Sequence, residues 1–385
     1  MLVTQLYSLV NNVTKETLGE SVILKEDLTN VVDVGVAVFD ADKVDNFVKK
    51  LVDHIGKVIF VNRVYSGSVP SVLMDSWEFG SVLEKISSDL PDAQENDSWD
   101  LTDGETYSQD KFVKPSVTAK FFNSKVTFEI QMSFTEKQLK SAFSNAEQLN
   151  GFVSMLHTSV ENSLTVKLDG LVMRAFNNFS AHVLDNDTVG VQAVNLLAKY
   201  NTAYTKTLSA DVCLQDADFI RYATYQMALV SDRMTKVSKL FNVGAKARFT
   251  PKDLQNVVLL SDFAKASETF LLSDTRNPEK VTLPKHDSVP FWQGSGVGYS
   301  FADVSNVNVT IKSGESDKDV EITGLLGVIC DRDAVAVANV DRRTTVAYNA
   351  RAEFYNNWFK ADAQYINDLD ENFVLFYVAD AVAES

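Results

Sequence analysis

The sequence lacks several features that would assign it to a common protein class. It contains only two cysteines, Cys213 and Cys330, and no Cys-x-x-Cys pair, which leaves zinc and thioredoxin-like sites without support. No run approaches the ~18–20 consecutive apolar residues of a membrane span. The start, Met1 to Leu6, has no basic region followed by an apolar block, so we expect no secretory signal. A cytoplasmic chain with both thiols as small buried hydrophobes is expected.

Basic residues are scarce relative to acidic ones. The chain has 36 Lys and Arg against 52 Asp and Glu, which gives a net charge of −16. A protein that reads nucleic-acid sequence needs a basic face, and this composition argues against one. It is compatible with proximity to DNA, because an acidic wall repels phosphate and lets packed DNA slide. Solubility is the plainer explanation of the same charge.

Residues that could form a catalytic centre are dispersed. The sequence has neither a Gly-x-Ser-x-Gly elbow nor a Walker-type phosphate loop. The glycine-rich stretch 294–298 lacks a preceding strand and a following Lys-Ser/Thr pair, so we expect a turn there. Four scattered histidines are expected to be structural or solvated: His54, His157, His182 and His286.

A dense charge cluster lies near the end of the chain and has two interpretations. It consists of three aspartates and three arginines: Asp331, Asp333, Asp341, Arg332, Arg342 and Arg343. Paired carboxylates can bind a cation or transfer protons. Turn chemistry and ion pairs, within the chain or between subunits, are the interpretation we favour. The sequence therefore predicts no catalytic residue, no metal ligand and no cofactor.

The first 61 residues predict an N-terminal arm with short helices. Apolar residues recur at helical spacing between Ala41 and Gly56, where the glycine is a natural stop. The apolar run Val58 to Val61 predicts a strand. Residues 1–40 have no strong period, and we expect them to gain stability by lying on a neighbour rather than by folding alone.

Residues 62–132 predict an extended loop, a long protruding β-hairpin with a solvated acidic tip. The segment 87–110 is rich in Asp and Glu and contains no Lys or Arg. Two β-like segments follow, Val117 to Phe122 and Lys125 to Met132, joined by Asn123-Ser124, and the second alternates with period two. A loop excursion of an ordinary domain is the alternative.

A very long helix is predicted from residue 144 onwards. Ser144 to Glu147 fits a capping box. Beyond it, apolar residues recur at steps of one, three or four as far as Phe179, with no proline between them. About 35 residues span roughly 50 Å, whereas the average globular helix has ~11–12 residues. Strict heptads are missing, which favours a spine across a flat subunit over a coiled coil.

A mixed α/β region and a β-rich segment complete the chain. Helices are predicted over 189–199, 217–241 and 263–272, a helix cap at Thr250-Pro251, and strands over 257–260, 307–311 and 320–322. Leu325 to Cys330 and Ala334 to Val340 flank Asp331-Arg332-Asp333, which is a hairpin signal. Aromatic residues are concentrated in the closing segments 354–362 and 373–379.

The order of these segments resembles the capsid fold of tailed bacteriophages, the Hong Kong ninety-seven fold. It is most similar to the major head proteins of phi-twenty-nine-like podoviruses. The resemblance rests on Leu51 to Gly56, the run from Phe134 to Asn178, and the closing stretches Asp341 to Thr345, Tyr348 to Arg351 and Tyr355 to Lys360. It covers essentially the whole chain through order and spacing, because no single motif is diagnostic. The implied fold class is α+β.

The resemblance implies five regions along the chain. They are an N-terminal arm (1–61), an extended loop (62–132), a peripheral domain with the spine helix (133–188), an axial domain (189–323) and a C-terminal sheet of the peripheral domain (324–385).

The function that the resemblance implies is a self-assembling shell subunit and not an enzyme. Copies of the chain would form hexamers and pentamers of an icosahedral or prolate head around double-stranded DNA, assembled in the bacterial cytoplasm. A portal protein and a separate scaffolding protein are the other implied partners, and no membrane is involved. Intersubunit contacts are expected from these residues: Asp92, Glu95, Asp97, Asp100, Arg342, Arg343 and Arg351.

Two other functions remain open at this stage. An encapsulin-type nanocompartment would have the same fold with protein cargo in place of DNA, and the neighbouring genes distinguish the two. An α/β hydrolase would instead be a monomer or small oligomer with an organised polar pocket, which size-exclusion chromatography and electron microscopy distinguish from a shell.

Overall fold

The computed structural model describes most of the 385-residue chain. The described residues are 3–19, 25, 29–40, 44–61, 73–74, 83–88, 98–107, 112, 114, 116–122, 125–187, 189–272, 285–292, 305–313 and 316–380.

Within these residues the chain forms eight α-helices and thirteen β-strands. The helices are α1 (Val3–Leu18), α2 (Val31–Asp40), α3 (Val44–Val61), α4 (Glu136–Ala142), α5 (Ala146–Asn186), α6 (Leu196–Tyr204), α7 (Ala217–Met234) and α8 (Ser261–Leu272). The strands are β1 (Leu73–Met74), β2 (Leu83–Ser88), β3 (Val117–Phe122), β4 (Lys125–Thr135), β5 (Ala193–Asn195), β6 (Gln255–Leu260), β7 (Asp287–Val289), β8 (Val307–Ser313), β9 (Ser316–Ile322), β10 (Leu325–Asp331), β11 (Val335–Asn349), β12 (Phe354–Asn367) and β13 (Phe373–Tyr377). None of these helices combines the length and apolar character that a membrane crossing needs.

The strands form two larger sheets and two separate pairs. One sheet has the order β5-β13-β10-β6-β7, with β10 antiparallel to both of its neighbours. The other has the order β1-β11-β12-β4 and is dominated by the long antiparallel ribbon of β11 and β12. The pairs β2-β3 and β8-β9 are both antiparallel.

Helix α5 is the predicted spine, and it joins two hydrophobic cores. It contains 41 residues, somewhat more than the sequence pattern indicates, and therefore extends for about 60 Å. Its first half, from Leu149 to Val160, packs in one core with α1–α4 and the aromatic end of β12. Its second half, from Leu164 to Val183, packs against the five-stranded sheet and its helices. Each fully buried aliphatic or aromatic side chain on this stripe contributes about 1.5–3 kcal/mol.

The start of α5 differs from the predicted capping box. Asn145 is the N-cap, and its side chain accepts a hydrogen bond from the Gln148 amide. A capping box does occur, but one helix earlier, between Thr135 and Gln138 at the start of α4. Ser144 and Asn145 are neighbouring cap candidates in the sequence, and the structure uses Asn145.

The described N-terminal helices pack on the chain itself, whereas the sequence led us to expect that residues 1–40 would gain their stability from a neighbour. Val10 and Val13 of α1 and Val34 and Val38 of α2 are at most 1% exposed, in the same core as α3 and α5. Each of these helices is short, so its apolar residues repeat too few times to give a clear period in the sequence.

The predicted strand at 58–61 is also wrong, because α3 continues to Val61. A run of four apolar residues suits a strand or a helix equally, and the helix already under way extends through it. Gly56 does not stop the helix, since a glycine in a helix interior costs only about 1 kcal/mol relative to alanine.

Several predicted strands are confirmed, but their partners differ from the predicted ones. β3 and β4 follow each other in sequence, yet β3 pairs with β2 and β4 pairs with β12. β10 and β11 do not form a hairpin. β10 is buried along its whole length between β13 and β6, and the turn at Asp331 passes the chain to the other sheet. The expected boundary at 323–324 therefore does not separate the sheets.

The middle of the chain needs three smaller corrections. Residues 193–195 form β5, so the predicted helix over 189–199 begins only at Leu196. Helix α7 ends at Met234 rather than at residue 241. Thr250 caps no helix, because its hydroxyl donates to the buried Asp331 carboxylate at 2.7 Å. The strand β6 and the helix α8 are confirmed.

Candidate functional site

The hairpin of β2 and β3 carries an outward apolar face. Its register runs from Leu83 opposite Phe122 to Ser88 opposite Val117, so the two strands enclose the acidic segment of the sequence. Ile86 and Phe121 are each 66% exposed on one face of this pair. Large exposed apolar side chains grouped on one element typically mark an interaction surface.

The tip of the hairpin, defined here as residues 98–107, is exposed throughout. Trp99 is 99% exposed and Leu101 is 65% exposed, although both are residues that normally lie inside a protein. A turn at Gly104 and a hydrogen bond from the Thr102 amide to the Tyr107 hydroxyl (3.0 Å) shape the segment. The tip therefore presents large apolar side chains to its surroundings.

The base of the hairpin is held by a cluster of lysines and carboxylates. Lys85 contacts Asp368 at 2.8 Å and Glu371 at 2.9 Å. Lys120 contacts Asp368 at 2.9 Å and Asp370 at 2.5 Å. We call these five residues the base cluster. It fixes the hairpin to the turn between β12 and β13, where both sheets meet.

The carboxylates of the base cluster have opposite pKa shifts. Burial opposes ionisation of Asp368, but hydrogen bonds and positive charge from Lys85 and Lys120 outweigh it and hold its pKa below the ordinary value. Burial dominates at Glu371 and raises its pKa, despite the nearby Lys85. The cluster is thus most cohesive when Asp368 is ionised.

The turn that carries these carboxylates is itself rigidly placed. The Gly244 amide donates to the Leu369 carbonyl at 3.0 Å, and Arg248 lies 3.5 Å from Glu371. Gly244 is required at this approach, since a Cβ there would lie 1.9 Å from the Asp370 carboxylate. The hairpin base therefore connects to the loop that follows α7.

The predicted contact residues have different outcomes. Asp100 lies in the exposed tip. Asp92, Glu95 and Asp97 and the side chain of Arg342 lie outside the described residues. Arg343 pairs within its own chain, with Asp362 at 2.6 Å and Asp341 at 3.1 Å. Arg351 is exposed at the turn of the β11–β12 ribbon.

The charge cluster near residue 331 is divided by the fold. Asp331 is 8% exposed and accepts hydrogen bonds from the Thr250 hydroxyl and the Asp333 amide. Asp341 and Arg343 lie further along β11. Among the described residues, no group of three His, Cys, Asp or Glu side chains could hold a metal ion. The arrangement corresponds to turn chemistry and ion pairs, as favoured from the sequence.

The histidines and cysteines with described surroundings are structural in character. Burial lowers the pKa of His157, with Glu161 3.5 Å away acting in the opposite direction. Burial also lowers the pKa of His182. Both cysteines are unpaired and buried, which confirms the expectation from the sequence.

The strongest features of the surface are ones that the sequence interpretation missed. Trp99 and Leu101 were not among the predicted contact residues, although a tryptophan in a stretch of Asp, Ser and Gly is a visible signal. Lys85 and Lys120 also had no predicted role. Their alternating positions place them on one face of each strand, but only the fold places that face against Asp368.

Comparison with known proteins adds similarity over nearly the whole chain. Residues 10–377 match the family described as "Phi29-like phage major capsid protein". The major capsid protein of Bacillus phage GA-1 is 27% identical over 169 residues, which are 43% of this chain. That match spans 34% of the length of the relative. The capsid structure of Staphylococcus phage Andhra superposes with a TM-score of 0.51 at 10% identity, over 82% of this chain and 86% of that one.

Proposed function

The chain belongs to the Phi29-like phage major capsid protein family, and we propose that it is the subunit that builds the phage head by self-assembly. Copies of the chain would form the hexamers and pentamers of an icosahedral or prolate shell around double-stranded DNA. The observation that carries the proposal is the hairpin: its base is anchored by the base cluster, and its tip exposes Trp99 and Leu101. A monomer gains nothing from exposing them, whereas a neighbouring copy can cover them.

The fold agrees with this role. The α+β architecture with a long spine helix is the capsid fold predicted from the sequence, as the likeness to the Andhra capsid shows. A shell subunit needs large edges rather than a pocket, because cohesion comes from many moderate contacts in a closed assembly. We therefore propose a structural protein and not an enzyme.

The five regions named from the sequence become proposals with one adjustment. The described part of residues 1–61 would still supply the outer surface of an arm, although its apolar side chains face the chain's own core. The axial domain, proposed as 189–323, would also include β10 and β13, since both lie in the sheet with β5, β6 and β7. The remaining sheet, with β11 and β12, would belong to the peripheral domain.

The other partners follow from the role of a shell subunit. A portal protein would occupy one vertex, and a separate scaffolding protein would guide assembly in the host cytoplasm before the shell becomes part of the virion. The net charge of −16 supports DNA as a neighbour that is enclosed without being read.

Electron microscopy of the purified protein tests the proposal directly. We expect size-exclusion chromatography and negative staining to reveal capsomers or shells. The double variant Trp99→Ser/Leu101→Ser should keep the far-ultraviolet circular dichroism and melting temperature of the parent but assemble poorly. Tyr225→Ser serves as the matched control, because Tyr225 is also exposed (60%) but lies on α7. A monomer at all concentrations, with enzymatic turnover, would overturn the proposal.

A further inference from the structure

A second surface of the chain has the opposite charge to the hairpin tip. Between residues 233 and 252 the sequence contains six basic residues and no acidic one, in a protein with a net charge of −16: Arg233, Lys236, Lys239, Lys246, Arg248 and Lys252. We call this segment the basic loop. Arg248 pairs with Glu371 and Lys252 pairs with Asp232. The positive charge that remains is therefore centred on Lys236 and Lys239, and it favours a negative partner.

The basic loop also exposes apolar side chains. Val237 is 56% exposed, Leu240 is 61% exposed and Phe249 is 53% exposed. Cations and apolar groups are interspersed, because Lys236 and Lys239 alternate with Val237 and Leu240 along the chain. The surface therefore suits a partner that offers both negative charge and large apolar groups.

The backbone holds this surface in a fixed shape. Ser238 and Arg248 exchange two backbone hydrogen bonds, of 2.9 and 3.0 Å, that close the loop. Inside it, the Asn242 side chain bonds to the Lys246 amide and carbonyl at 2.7 and 2.8 Å. A preorganised surface loses little conformational entropy when a partner binds.

The hairpin tip of the same chain has the complementary character. Residues 98–107 contain Asp100, Asp103 and Glu105 and no basic residue. Trp99 and Leu101 stand beside these acids and are exposed. Lys236 and Lys239 have no ion-pair partner within the described part of the chain, and the same holds for the three acids of the tip.

We propose that the hairpin tip of one subunit docks on the basic loop of the next subunit. This contact rests on the proposed function, and it specifies which surface the hairpin meets. The tip cannot occupy the loop of its own chain in this structure, since Trp99 is 99% exposed. A contact between two different surfaces of identical copies is heterologous, and such contacts form a ring when the rotation between successive copies closes. Nucleic acid would match the lysines but not the exposed Val237 and Leu240.

Reciprocal charge reversal tests the pairing. We expect Lys236→Glu/Lys239→Glu to reduce the yield of assembled particles by about tenfold or more, because it opposes like charges at the contact. Asp100→Lys/Asp103→Lys should do the same. The variant that combines both changes should recover most of the yield, while all three keep the melting temperature of the parent. If both double variants fail to assemble and the combined variant fails as well, the pairing is wrong.

The remaining outcomes are equally informative. A basic-loop variant that assembles normally would overturn the contact while leaving the shell function intact. Normal empty shells that fail to retain DNA would also overturn it and would assign the loop to nucleic acid. Failure of the unaltered protein to assemble even together with the proposed scaffolding protein would count against the proposed function and, with it, this contact.

Cysteine crosslinking between separate chains provides a second measurement. We would mix Trp99→Cys protein with Leu240→Cys protein, so that a disulfide between the new cysteines can form only between subunits. Covalent dimers should appear on oxidation of the assembled mixture. In the control mixture, Met155→Cys protein takes the place of Leu240→Cys protein. Met155 is similarly exposed (53%) but lies on α5, away from the loop in sequence. Equal crosslinking in both mixtures, or none in the first, would contradict the contact.

Discussion

Lys85 and Lys120 face each other across β2 and β3, and both amines contact the same carboxylate, Asp368. Like charges directly opposite each other on paired strands are destabilising unless a counter-charge neutralises them. The Asp368 side chain is only 3% exposed, whereas the lysines are 27% and 32% exposed. The attachment of the hairpin to the rest of the subunit therefore depends on this carboxylate.

Removing the charge of Asp368 should loosen the hairpin base. We expect Asp368→Asn to lower the free energy of unfolding by about 3 kcal/mol, since it leaves two partly buried lysines with less compensating charge. Chemical denaturation followed by circular dichroism measures this. Glu129→Gln is the control, because Glu129 pairs with Lys360 at a more exposed site and should cost less than about 1 kcal/mol. Equal effects of the two changes would contradict a special role for Asp368.

The contribution of Asp368 should disappear at low pH. Its pKa is lower in the folded chain than in the unfolded chain, so the stability it provides is present above about pH 4 and is lost as the pH falls through the folded pKa. Glu371 acts in the opposite direction, because burial raises its pKa and disfavours its ionised form in the folded chain.

Melting temperatures across a pH series can separate these two carboxylates. The difference between the parent and Asp368→Asn should be largest near neutral pH and should shrink below about pH 4. Glu371→Gln should remove the opposing contribution of Glu371, so the melting temperature should fall more steeply as the pH is lowered. A difference between parent and Asp368→Asn that stays constant down to pH 2 would show that the charge of Asp368 is not what stabilises the hairpin.

Both thiols should be inert in the folded protein. Burial raises the pKa of Cys213 to about 11, and it raises the pKa of Cys330 further. Alkylating reagents attack the thiolate. Because the thiol pKa is raised, the thiolate is rare at neutral pH, and neither side chain is exposed. Mass spectrometry should show no labelling of native protein and two labels after unfolding in denaturant. Rapid labelling of one native thiol would contradict the packing around it.

The long helix could be predicted from the sequence because its signal is local and repeated. The apolar residues from Leu149 to Phe179 all lie on the same face of the helix, so the pattern repeats over about eight turns. Strand existence was also predictable, as β6, β8 and β12 show. Strand partners were not, because the pairing of β10 with β13 and β6 is decided by burial across distant parts of the chain.

The candidate site shows the same division between local and long-range information. The acidic and exposed character of the hairpin tip is local, and the sequence predicts it. The base cluster joins Lys85 to residues 368–371. Lys85 and Glu371 are 286 residues apart, and no period in the sequence connects them. The turn at Asp331 resembles a hairpin turn locally, yet the chain changes sheets there.

Replacing each of two glycines by alanine should change the stability of the protein in opposite directions. Gly324 has a φ of +62°, and a Cβ there would lie 2.2 Å from the Val378 carbonyl oxygen. Gly324→Ala should therefore reduce stability by about 2 kcal/mol or more, through left-handed backbone strain and displacement of the end of β13. Gly170 lies in the middle of α5 with no atom within 4 Å of a Cβ, so Gly170→Ala should increase stability by about 0.5–1 kcal/mol. Thermal unfolding of the two variants beside the parent checks both signs, and a stabilised Gly324→Ala would show that the contact between Gly324 and Val378 is not close.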